Sequence, residues 1–153
     1  MSERRINYRY DECGLDNVIL EDFPVQMDEA GDEVITIPNV NVLHQVLVSA
    51  VAHKEGGLNP KEIRFLRSEM GMSQAELAKL IGRDGQTIGR WERGETNIDQ
   101  TAEIVLRMKA IEFTGWAGLP IDELASRTVY SAEQKPIVID AADPTHYPRK
   151  TAA

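Results

Sequence analysis

The sequence predicts an α+β protein. A small N-terminal antiparallel β module with a linking helix comes first, then an all-α bundle of about five short helices, then an extended C-terminal tail. Three observations carry this. Residues up to 38 alternate apolar and polar side chains in short runs broken by turn residues, the period of half-buried strands. From Asn59 onward apolar residues recur at three- and four-residue spacing, with capping residues at the starts and glycines at the stops. After Phe113 neither period is sustained. The implied divisions are 1–53, 54–115 and 116–153.

In the first division, "NYRYDE" (7–12), "NVILED" (17–22) and "EVITIP" (33–38) read as three strands, with "DEAGDE" (28–33) as a turn. Tyr8, Tyr10, Val18, Leu20, Val34 and Ile37 are the candidate core. "NVNVLHQVLVSAVAHK" then places Val42, Leu43, Val46, Leu47, Ala50 and Val51 at helical spacing behind Asn39 or Asn41 as cap.

The second division opens on Asn59, which can cap, with Pro60 at the first helical position and Glu62 in the first turn. Ile63, Leu66 and Met70 form its stripe and Gly71 its stop. Ser73 with Glu76 is a capping box, and Leu77, Ala78, Leu80 and Ile81 form the next stripe, closed by Gly82. Asp84 can cap a third helix with Ile88 and Trp91 inward, ended by Gly94. Asn97 or Asp99 opens a fourth, with Ile104, Val105, Met108, Ile111 and Phe113 as its apolar set. Beyond it "PIDELASR" reads as one short helix, and "KPIVIDAADPTHYPRKTAA" as tail.

Charge is unevenly spread over the 153 residues. The net charge is −8, yet residues 1–53 hold three arginines against ten acidic residues, whereas residues 54–113 hold ten basic and ten acidic ones. The acidic front repels nucleic acid and suits a basic partner or plain solubility. The balanced middle is free to carry a local basic face. No apolar run approaches the ~20 residues of a membrane span. The N-terminus lacks the apolar region of a signal peptide. With one cysteine, the expectation is a reducing cytoplasm.

The stretch "MSQAELAKLIGRDGQTIGRWERG" (72–94) holds two short helices joined at a tight glycine turn, a helix-turn-helix. Such a pair cannot bury its own apolar face, so the helices at 60–70 and 99–113 must cover it. On the second helix Gln86, Gly89, Arg90 and Arg93 fall on one stripe. Gln and Arg make bidentate contacts to adenine and guanine in the major groove, and the first residues of a recognition helix reach the bases. Asp84, Gly85, Gln86 and Thr87 are therefore the first candidates, with Arg90 one turn on. Gly89 is unusual, since a mid-helix glycine costs up to ~1 kcal/mol relative to alanine. It either makes room for DNA or for Arg90, or is merely tolerated on an exposed face.

The pattern "SQAELA…IG…TIGRWERG" resembles the helix-turn-helix of the XRE (Cro/phage-repressor) family, over about residues 60–113. That resemblance implies a lambda-repressor-like domain. It implies that Gln74, at the start of the first helix, touches phosphate and that Glu92 pairs with Arg67 as a structural contact. Ala78, Gly82, Ile88 and Trp91 are the accompanying structural positions. Arg83 and Arg93 join Gln74 as phosphate contacts that set register; Gln86, Thr87 and Arg90 specify bases.

A wider resemblance, through "YRYDECGLDNV" and "LNPKEIRFLRSEMGMSQAELA", is to MqsA-type antitoxins. These join an N-terminal module that holds an RNase toxin to a dimeric DNA-binding domain. In them an Asn and an Arg of the recognition helix read bases; Gln86 and Arg90 occupy those positions here. Their N-terminal module binds zinc through two C-x-x-C pairs. This chain has Cys13 alone, so a four-thiolate site cannot form. A set of Cys13, His44 and His53 is the remaining metal alternative, against a small buried cysteine at a turn. No metal and no cofactor is expected, and no motif of an enzyme is present.

The expected partners are palindromic operator DNA, a second copy of the chain and a small basic toxin, with no membrane. The resulting reading is a dimeric repressor that is the antitoxin of a type II toxin–antitoxin operon. The alternative is a stand-alone regulator whose front module senses a ligand or dimerises.

Overall fold

The computed structural model describes residues 4–116, 118–129 and 135–150. Among them the α+β class holds, and the chain divides into two compact units, Met1–Leu47 with Gln134–Ala153, and Val48–Glu133.

The first unit is built on a mixed sheet. β1 (Arg5–Arg9) pairs antiparallel with β2 (Val18–Pro24). The alternation along β2 is strict where it counts, with Val18, Leu20 and Phe23 buried. The register slips between Ile6 and Tyr8, opposite Asp22, whose φ of 55° marks the bulge. A ribbon of β3 (Gln26–Met27) and β4 (Glu33–Val34) stands apart from the sheet, closed by Asp28, whose carboxylate accepts from the amides of Ala30 and Asp32. The third strand expected over 33–38 is thus only two residues long, and Val34 and Ile37 are half-buried rather than core.

The expectation of an extended tail is corrected. β5 (Ile137–Asp140) pairs in parallel with β2, and β6 (Arg149–Lys150) pairs antiparallel with β5, giving the order β1-β2-β5-β6. The module is therefore mixed, not wholly antiparallel. β2 lies between β1 and β5, so its backbone groups are paired along both edges. Ile137 and Ile139 supply the matching inward alternation, and Tyr147 is buried with its hydroxyl donating to the carbonyl of Pro38. Residues 117, 130–134 and 151–153 of the expected tail lie outside the described residues, as do residues 1–3.

α1 (Val40–Ala52) begins in the first unit, where Leu43 and Leu47 are fully buried and the Tyr10 hydroxyl meets His44 Nε2 at 2.6 Å. The second unit is helical: α2 (Pro60–Glu69), α3 (Gln74–Ile81), α4 (Gly85–Glu92), α5 (Gln100–Thr114) and α6 (Ile121–Ser126). Asn59 with Glu62 and Ser73 with Glu76 form reciprocal capping boxes, and Asp84 and Asp99 cap α4 and α5 through the amides of Thr87 and Ala102.

The buried face of α5 also differs from expectation. Ile104 and Val105 are half-buried, and Met108 and Phe113 face solvent, while Ala102, Glu103, Leu106, Arg107, Ala110 and Ile111 are buried. Arg107 decides this orientation. Its Nε donates to Glu103, Nη1 to the carbonyls of Ala52 (3.3 Å) and Lys54 (2.7 Å), and Nη2 to those of Gly56 (2.6 Å) and Arg127 (3.1 Å). Every donor of the guanidinium is satisfied, so a charged group occupies the position hydropathy assigns to a leucine. Leu80, expected in the α3 stripe, is likewise exposed; Leu77 and Ala78 carry that stripe.

Candidate nucleic-acid interface

The polar surface at 72–94 is assembled by local rules. α3 stops at Gly82, whose φ of 79° suits a residue without a side chain and whose amide returns to the carbonyl of Ala78. Asp84 then opens α4 two residues later. Ala78 is buried, as are Ile88 and Trp91, and α4 packs on α3 and α2. Trp91 is 3% exposed, inward as its spacing from Ile88 predicts.

One buried polar cluster fixes the pair of helices. Arg67 of α2 donates through Nε to Glu92 Oε2 (2.6 Å), through Nη2 to Oε1 (2.8 Å), and through Nη1 to the carbonyl of Met72 (2.9 Å). Gln74 donates to the same Glu92 Oε1 at 3.2 Å. Glu92 thereby holds α4 against α2 and orients the first side chain of α3. Its carboxylate hydrogen bonds hold the Arg67 pKa above its ordinary value.

Around this anchor lie the polar residues expected at DNA. Gln86 and Arg90 are exposed, and among the described residues neither side chain has a hydrogen-bond partner. Thr87 is half-buried; its amide (2.8 Å) and hydroxyl (3.0 Å) both donate to Asp84. Those two bonds, the amide first, hold the Asp84 carboxyl below its usual range, so the cap is ionised. A Cβ on Gly85 would meet the backbone of Ala75 at ordinary contact distance.

The expected phosphate contacts are not free cations. Arg83 Nη2 lies 3.1 Å from both oxygens of Asp99, and Arg93 donates twice to Glu95, at 3.0 and 3.2 Å. Of the three exposed arginines here, Arg90 alone has no ion-pair partner among the described residues.

Gly89 is buried, not exposed. A Cβ on Gly89 would meet the side chains of Arg93 and Gln74. The sequence signal for this was the glycine itself, placed where a helix least tolerates one.

Residues 63–102 match the helix-turn-helix family. The match covers about a quarter of the chain, from α2 to the first turn of α5. It supports a DNA-binding transcription regulator of the XRE type. No curated protein and no solved structure shows significant similarity to the chain. Among the described residues no helix is long and apolar enough to cross a membrane.

In the first unit Cys13 is half-buried and its thiol points at the carbonyl of Tyr10. His44 is bonded to Tyr10, and His53 Nδ1 lies 2.8 Å from the carbonyl of Ser49. Among the described residues no three His, Cys, Asp or Glu side chains come together as a metal site.

Proposed function

We propose that this chain is a sequence-specific, dimeric transcriptional repressor and the antitoxin of a type II toxin–antitoxin operon that it autoregulates. The observation that carries the DNA reading is the arrangement on α4: Gln86 and Arg90 stand exposed, their side chains without a hydrogen-bond partner among the described residues, on a helix locked from behind by Glu92 and Arg67. Gln86, Thr87 and Arg90 read bases, with Asp84 and Gly85 at the same end of the helix; Gln74, Arg83 and Arg93 set register on phosphates.

Dimerisation fits the palindromic operators such helices read, with recognition helices about 34 Å apart. The outward face of α5 supports it: Met108 and Phe113 are exposed there, as is Trp116 just beyond. The antitoxin reading is supported by the resemblance of the first and second divisions to MqsA-type antitoxins and by the acidity of residues 1–53, which suits a small basic protein.

Affinity purification of the tagged chain from its native host, followed by mass spectrometry, tests the antitoxin role. A stoichiometric small basic protein encoded next door is the expected result. Recovery of the chain with its promoter DNA and no protein partner would leave the stand-alone regulator instead. Light scattering should give the mass of two chains; a monomer at micromolar concentration contradicts the dimer.

A further inference from the structure

Gly89 occupies the fifth position of an eight-residue helix, where glycine weakens the helix relative to alanine. Backbone packing does not require it there. A Cβ built on Gly89 would stand 2.9 Å from Arg93 Nη1 and 3.5 Å from Gln74 Oε1, with Arg93 Cζ next at 3.7 Å. All three belong to the ends of flexible side chains. An alanine is therefore accommodated by displacing the Arg93 guanidinium, with the helix left intact.

The two side chains seated beside Gly89 come from different helices. Gln74 is the first residue of α3 and is held by Glu92. Arg93 caps the end of α4, its amide bonded to the carbonyl of Gly89, and its guanidinium is steadied by Glu95. We infer that Gly89 is a positioning residue for phosphate recognition: its bare α-carbon lets the Arg93 guanidinium lie beside the Gln74 amide as one composite backbone contact. The inference rests on the DNA-binding reading above and assigns to it a residue that touches no base.

A double-mutant cycle tests it. Wild type, Gly89→Ala, Arg93→Ala and the double variant are titrated with a duplex that the wild-type chain selects from a randomised pool, at several salt concentrations. Gly89→Ala should melt at a higher temperature than wild type yet bind severalfold more weakly. Its plot of log affinity against log salt should be shallower by about 0.9, one phosphate contact. In the Arg93→Ala background the glycine substitution should change neither affinity nor slope. Undiminished binding by Gly89→Ala, or a loss that persists without Arg93, overturns the inference while leaving DNA binding standing. If the wild-type chain selects no duplex, the functional reading fails and the inference with it.

Discussion

Arg67 and Glu92 meet through two parallel hydrogen bonds, 2.6 and 2.8 Å long, with the Glu92 side chain 5% exposed and the Arg67 side chain 14% exposed. The pair joins α2 to the far end of α4 and orients Gln74 as well. Glu92→Gln keeps the shape but removes the charge, leaving the guanidinium poorly compensated. The expected cost is about 2 kcal/mol of stability, read by chemical denaturation, with base preference unchanged. An unmoved denaturation midpoint removes the role of the pair as the anchor of the two helices.

Asp99 has two tasks: it caps α5 and it holds Arg83. Asparagine caps a helix about as well as aspartate but carries no charge. Asp99→Asn should therefore fold normally and release Arg83 to phosphate. Arg83 then reaches its phosphate without first leaving a carboxylate, so binding should tighten severalfold at low salt. Equal affinity of the variant and wild type at low salt would show that Asp99 does not restrain Arg83.

The cap of α4 carries a pH dependence of definite sign. The Thr87 amide and hydroxyl hold the Asp84 pKa below its ordinary value. The unfolded chain therefore takes up this proton first as pH falls. The stabilisation is fully present above the ordinary aspartate range and is lost as pH drops through the depressed folded value. Asp84→Asn, which retains a capping side chain, should lose less melting temperature than wild type between about pH 5 and pH 3. Equal losses would mean the cap does not contribute to acid sensitivity.

Arg107 is fully buried with Glu103, and burial pushes the Arg107 pKa down and the Glu103 pKa up. Its guanidinium gathers the carbonyls of Ala52, Lys54, Gly56 and Arg127. Arg107→Met takes a donor from each of those carbonyls and leaves the buried Glu103 carboxylate without its counter-charge, held by the Leu58 amide. It should cost about 3–5 kcal/mol, and Arg107→Lys should not restore it, because three donors cannot replace five in a planar fork. Wild-type stability in the lysine variant would contradict the clamp.

What was legible in the sequence was what is local. Ser73, Glu76, Gly82, Asp84 and Asp99 each act within one helical turn, so α3, α4 and the turn between them follow from spacing alone. What was hidden depends on distant partners. Nothing near Ile137 announces that it will lie beside Val18, 119 positions earlier in the chain, in a parallel pair. On α5 the apolar residues Ile104, Val105, Met108 and Phe113 suggested a core face. The true buried face is chosen by an arginine whose acceptors are backbone carbonyls, which hydropathy does not record. Gly89 lies between the two cases: its oddity was visible, but only the positions of Arg93 and Gln74 give it a reason.

The proposed reading of DNA sequence by α4 through Arg90 is tested by selecting duplexes from a randomised pool with wild type and with Arg90→Ala. Wild type should enrich a two-fold palindrome. Arg90→Ala should lose preference at one position of each half-site and roughly 1–3 kcal/mol of affinity, with scrambled DNA bound as before. No enriched sequence, or an Arg90→Ala variant that matches wild type on both selected and scrambled DNA, would contradict the account.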